Sequence, residues 1–195
     1  MTVLVSMAAF ALAASISPGP VNLVALSAGA RYGLRASLRH VTGATLGFTL
    51  LLLAIGLGLQ QLLQHWPPLQ RLLHGAGVAF LLYMAIGLAR DEGRLDSGKA
   101  QRAPGLLSGA AMQWLNPKAW LASLAGIGAF AADGELPLIG QFAALYFVIC
   151  YLSIACWAYA GAFLRPYLEQ PRRMRLFNRG LALLLAASAL YLLLA

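Results

Sequence analysis

Two short stretches of this sequence carry groups able to do chemistry inside an otherwise apolar chain. The first is Ser17-Pro18-Gly19-Pro20, with Asn22 close behind. Proline has no N–H and its ring clashes with the carbonyl four residues back, so two prolines about a glycine break a helix. The half-helix that restarts near Pro20 presents free N–H groups and the positive end of its dipole, a ready site for an anion such as a carboxylate. The second stretch is Gln113-Trp114-Leu115-Asn116-Pro117-Lys118. Asn116 is a suitable cap for a second restarting half-helix. Lys118 is the only charged residue deep in an apolar run. An intramembrane lysine costs roughly 2.5–3.5 kcal/mol on insertion scales, so it reads as a carboxylate ligand, a gating cation or a proton carrier. The candidate binding residues are therefore Ser17, Pro18, Gly19, Pro20, Asn22, Gln113, Asn116, Pro117 and Lys118. The competing explanations are packing kinks at the prolines and a lysine that snorkels to an interface. Lys118 lies about 13 residues from either end of its run, about 20 Å of helix, too far for its stem to bridge.

The elements that must position these groups are hydrophobic. The 195 residues are 61% hydrophobic and only 10% charged, with a mean hydropathy of +0.75. Soluble domains carry about 25% charged residues. Too few polar side chains remain to cover a water-facing surface, which excludes a soluble fold, a disordered chain, a disulfide scaffold and a zinc protein. Six apolar runs are long enough to cross a bilayer, at roughly 2–29, 40–63, 70–89, 105–130, 137–163 and 176–194. The expected fold is an all-α integral membrane protein of six transmembrane helices, with helices 1 and 4 broken at their prolines. Met1-Thr2-Val3 carries no side-chain charge and the run behind it exceeds the roughly 7–15 apolar residues of a signal peptide, so the first run reads as a retained helix.

The net charge of +8 would suggest nucleic acid on a soluble protein. Here the basic residues sit between apolar runs, and the expected partner is the lipid bilayer. Arg31, Arg35 and Arg39 follow the first run; Arg90, Arg94, Lys99 and Arg102 the third; Arg165, Arg172, Arg173, Arg175 and Arg179 the fifth or the start of the sixth. These twelve of fourteen basic residues lie on one side of the predicted topology, with only Arg71 opposite. Such loops face the cytoplasm, which places both termini outside.

Six spans divide into three plus three. Pro18 and Pro117 are 99 residues apart, and so are Pro67 and Pro166. An odd number of spans per copy inverts the second copy, the arrangement of many secondary transporters whose sites lie where broken helices meet. The chain then reads as a single transmembrane domain, 1–195. Repeat one covers about 1–89, a cytoplasmic linker about 90–104 and repeat two about 105–195.

The runs are also informative for what they lack. Asp91, Glu92, Asp96, Asp133, Glu135 and Glu169 all fall in loops. A cationic ligand side chain would need a buried carboxylate, so the expected ligand side chain is neutral. Gly43 and Gly47 form a GxxxG pair suited to helix packing. Tyr146, Tyr151, Trp157 and Tyr159 read as packing or interfacial residues, with no signal for which of them lines a cavity. His40, His65 and His74 sit near run ends and read as interfacial. Cys150 and Cys156 are six apart, about 240° around a helix, on opposite sides of it.

Together Ser17-Pro18-Gly19-Pro20, the glycine-rich stretch from Gly43 to Gly58, and Gln113 through Trp120 resemble the LysE/RhtB amino-acid exporter family, over nearly the whole chain. The resemblance implies a bacterial inner-membrane protein, not an enzyme and without a cofactor, that exports amino acids or close derivatives on the proton gradient. It marks Pro18, Gly19, Pro20, Asn116, Pro117 and Lys118 as motif positions. Many relatives carry an acidic residue after the glycine matching Gly47, where this chain has Phe48. That departure favours neutral substrates of the threonine, homoserine, cysteine or O-acetylserine kind. Glycine-rich faces leave room for a homodimer. Two other classes share a three-plus-three architecture. A membrane thiol–disulfide electron carrier needs a cysteine in each half, and both cysteines here lie in the second. A metal permease needs histidines and carboxylates clustered within spans.

Overall fold

A computed structural model describes residues 2–93 and 103–194. Arg94, Asp96, Lys99 and Arg102 of the expected linker lie outside the described residues. The described chain is helical, without strands. Helix α1 (Thr2–Ile16) and α2 (Pro20–Tyr32) meet at a 60° bend. Then come α3 (Leu34–Gly56), α4 (Leu59–Gln64) and α5 (Pro67–Ala89). The second half holds α6 (Leu106–Trp114), α7 (Pro117–Phe130), α8 (Leu136–Leu164) and α9 (Pro171–Leu194), with a 3-10 turn at Arg165–Leu168. Among the described residues α3, α5, α8 with its 3-10 turn, and α9 are each long and apolar enough to cross a membrane, and the bent α1–α2 pair adds a fifth if it is counted as one span. Of the six expected runs, the one broken into α6 and α7 does not meet that measure.

Helices start where proline allows. Pro20, Pro67, Pro117 and Pro171 each open one, the position where a missing N–H costs nothing. Between α2 and α3 stands one residue, Gly33, at φ +79°, a conformation that a side chain would strain. This turn lets α3 begin at Leu34 rather than near residue 40. Arg35 and Arg39, four apart, then share an exposed face of its first turns. At the other end α3 stops at Gly56, because Gly58 at φ +100° breaks the ladder and the rest of the expected run becomes α4. The early start corrects the reading of His40. It lies well inside α3, fully buried, not at an interface.

Helix α8 runs through the centre and packs on α1, α2 and α3, while α6 lies on α3 and α5 on α9. In a bilayer small residues permit close helix packing. Gly29 faces the Ala158 carbonyl, and Gly161 faces that of Leu26. Gly43 faces the Leu106 carbonyl, Gly109 that of His40, and Gly47 faces Ala110. A Cβ at any of these five glycines would overlap backbone. The GxxxG pair Gly43/Gly47 is thus the α3–α6 contact.

The basic connections gather at one end of the bundle. Arg31 is salt-bridged to Asp91, Gly33 lies beside the Arg165 guanidinium, and Gly93 lies beside the Pro171 carbonyl and Arg175.

Candidate functional site

The bend between α1 and α2 frees a row of backbone carbonyls, and backbone at membrane depth must find partners. Side chains from both halves of the chain supply most of them. The Ser17 hydroxyl donates to the Ala14 carbonyl at 3.1 Å. The Asn22 amide spans two, donating to Ser15 at 2.8 Å and Ser17 at 2.9 Å. Trp157 of α8 donates its indole N–H to the Ile16 carbonyl at 2.9 Å. The Gly19 carbonyl takes the Leu23 N–H at 3.0 Å, restarting the helical ladder.

Lys118 shares the Ser17 carbonyl with Asn22 and takes the Pro18 carbonyl. Its Nζ donates to the Ser17 carbonyl and the Ser17 hydroxyl, both at 2.7 Å, and to the Pro18 carbonyl at 3.2 Å. The lysine stem lies over Gly19, where a Cβ would stand 3.0 Å from Lys118 Cδ. Glycine here is what leaves room for the side chain to cross.

Lys118 itself belongs to the second interruption. Helix α6 ends at Trp114 and α7 starts at Pro117. Asn116 caps α7, its Oδ1 accepting the Lys118 backbone N–H at 3.1 Å, and its amide lies 3.5 Å from Gln113 Oε1. Trp120 donates its indole N–H to the Trp114 carbonyl at 2.8 Å.

A cavity of about 40 Å³ opens between the two interruptions. That is room for a few water molecules. Gly19 and Asn22 line it from one side, and Gln113, Asn116 and Lys118 from the other. Of the remaining candidates, Ser17 and Pro18 hold the Lys118 ammonium, while Pro20 and Pro117 open their helices without lining the cavity. The third wall was not read from the sequence. It carries Ser15, Phe48, Tyr146, Cys150 and Ile154. Phe48 stacks on Tyr146 with ring centroids 4.4 Å apart. The Ser15 hydroxyl is buried without a hydrogen-bond partner. Tyr146, Cys150 and Ile154 recur every four residues on α8, a one-face spacing that was the available signal. Trp157 gave none, since its partner Ile16 is 141 residues away.

Among the described residues no carboxylate lines this cavity, and no cluster of three or more His, Cys, Asp or Glu could hold a metal. Cys150 is buried and Cys156 exposed, both as free thiols.

These features define a multi-pass membrane protein whose polar chemistry is concentrated where two interrupted helices meet. The chain belongs to the LysE type translocator family, which matches residues 12–195. It is 28% identical over 186 residues to a protein of Salmonella typhimurium named cysteine/O-acetylserine efflux protein, covering 93% of this chain and 91% of that one. The Escherichia coli K12 protein of the same name is 28% identical over 183 residues, 92% of each chain. No solved structure matches the chain.

Proposed function

We propose that this protein is a secondary transporter that exports small neutral amino acids or close derivatives across the bacterial inner membrane. The observation that carries the reading is the Lys118 ammonium, bonded across both helix interruptions at the edge of a cavity with no carboxylate in its wall. The cation suits a substrate carboxylate. The first α2 N–H with a backbone partner is that of Leu23, which leaves those of Val21 and Asn22 for the same carboxylate. The wall of Ser15, Tyr146 and Cys150 offers uncharged polar groups to a short side chain and nothing to a lysine or arginine. Relatives named for cysteine and O-acetylserine efflux point to the same substrate class. The proton gradient is the proposed driving force.

The architecture proposed for this function is two inverted three-helix repeats, with α1–α2 and α6–α7 as their broken first spans. The helix pairing supports it: the first span packs on α8 while the fourth packs on α3, and α5 pairs with α9. Exchanging the two halves leaves this pattern unchanged. The basic ends at Arg31, Arg165 and Arg175 sit together, as a cytoplasmic face requires, and both termini then face the periplasm.

Counterflow of labelled amino acids into liposomes holding the purified protein tests the proposal. Exchange of cysteine or O-acetylserine, with lysine and arginine excluded, is the expected result. Folded protein that exchanges no amino acid would overturn it.

A further inference from the structure

The three oxygens around Lys118 Nζ have a property that a carboxylate ligand alone does not explain. An alkylammonium has three N–H donors and no acceptor. Here it meets three acceptors: the Ser17 carbonyl and hydroxyl at 2.7 Å and the Pro18 carbonyl at 3.2 Å. All three belong to the other half of the chain, about 100 residues away. The lysine is not needed to finish its own helix, because Asn116 already caps α7. Nor is it needed for most of the first interruption, whose carbonyls at Ser15 and Ile16 are held by Asn22 and Trp157. Only the Pro18 carbonyl and the Ser17 hydroxyl depend on Lys118 as their donor, with the Ser17 carbonyl shared with Asn22. Those oxygens make a seat for one ammonium group.

We infer that the Ser17 carbonyl, Ser17 hydroxyl and Pro18 carbonyl form the ammonium subsite of the transported molecule, and that Lys118 is its tethered occupant, displaced when substrate binds. The inference rests on the transporter reading and deepens it. An α-amino acid carries the same ammonium group and brings a carboxylate as well. Its ammonium takes the oxygens, and the displaced Lys118 turns over Gly19 to pair with its carboxylate. One ammonium replaces another, and no charge is left unpaired in the membrane. A ligand without an ammonium leaves the oxygens bare. A ligand without a carboxylate leaves Lys118 unpaired. The subsite therefore selects zwitterions, and the side-chain wall selects among them.

The test uses ethanolamine, a primary amine with no carboxylate, as a labelled ligand for purified protein in detergent. Wild-type protein should bind it weakly, because Lys118 holds the seat and repels a second cation. Lys118→Met vacates the seat and should bind ethanolamine at least about tenfold more tightly, the scale of a charge-assisted hydrogen bond. Lys118→Gln keeps an N–H donor near the same carbonyls and serves as a second folded variant with a smaller gain. In wild-type protein, 3-mercaptopropionate, which lacks the ammonium, should compete with cysteine at least about tenfold more weakly than cysteine itself. Equal ethanolamine binding by wild-type and variant proteins would overturn the subsite, and so would competition by 3-mercaptopropionate as strong as that of cysteine. The transporter reading is judged separately, by wild-type counterflow.

Discussion

Lys118 Nζ and the Ser17 carbonyl lie 2.7 Å apart, although 101 residues separate them in the chain. The first interruption is therefore completed by the second. The break in the first half supplies oxygens and the break in the second supplies the cation. The first interruption takes Lys118 and Trp157 from the second half to satisfy its carbonyls, whereas the second is closed by its own Asn116 and Trp120.

Lys118→Ala should abolish exchange and also lower stability. The part-buried Ser17 carbonyl and hydroxyl and the exposed Pro18 carbonyl lose their bonds to the ammonium, and a lost hydrogen bond to a charged group costs about 1.5–3 kcal/mol. Counterflow and thermal unfolding in detergent measure the two effects on one sample. Lys118→Arg should not restore exchange, because a planar guanidinium cannot serve three oxygens gathered about one nitrogen.

Asn22→Ala removes both donors that bridge the Ser15 and Ser17 carbonyls. A loss of about 2 kcal/mol or more in unfolding free energy is expected. Asn22→Asp should be at least as harmful, since it keeps the shape but offers carbonyls another acceptor. A thermal shift smaller for Asp than for Ala would count against this assignment.

Trp157→Phe keeps an aromatic ring on α8 and deletes the N–H that holds the Ile16 carbonyl. The expected cost is about 1 kcal/mol, with slower exchange, because the end of α1 is no longer pinned. Unchanged stability and rate would show that the indole is only filling space.

Glycines at the helix crossings should not tolerate a methyl group. Gly43→Ala and Gly161→Ala press a Cβ onto the Leu106 and Leu26 carbonyls, and overpacking of this kind costs about 1–3 kcal/mol. Gly128→Ala on α7 meets nothing within 4 Å and should unfold no earlier than wild type. The comparison of unfolding temperatures separates close packing from general sensitivity of glycine sites.

Cys156→Ser distinguishes transport from thiol–disulfide chemistry. Cys156 is exposed and lies outside the cavity wall, so counterflow should persist at the wild-type rate. Loss of counterflow in folded protein would revive the dithiol alternative.

The helical, membrane-spanning character was legible because it depends on composition and run length, which a chain carries openly. Helix starts at proline follow from local chemistry and are legible for the same reason. The start of α3 was not, because Gly33 resets the chain within a single residue and no apolar run marks that event. His40 was misplaced as a consequence. The side-chain wall was hidden for a different reason. Ser15, Phe48 and Tyr146 come from α1, α3 and α8, and their meeting is a product of packing. Trp157 illustrates the same limit, since an indole donor seeking a carbonyl on another helix leaves no periodic trace.

The ammonium on the three oxygens has a quantitative consequence for a cell. A competitor attached to the protein itself is never diluted, and short flexible tethers give effective concentrations in the millimolar range. On the seat proposal, a free molecule gains those oxygens only when its concentration and its additional contacts together outcompete the tethered ammonium. An exporter built this way stays idle while a metabolite is scarce and discharges it when it accumulates. On that proposal the fold would work as an overflow valve, with its threshold set by how firmly one lysine side chain holds its three oxygens.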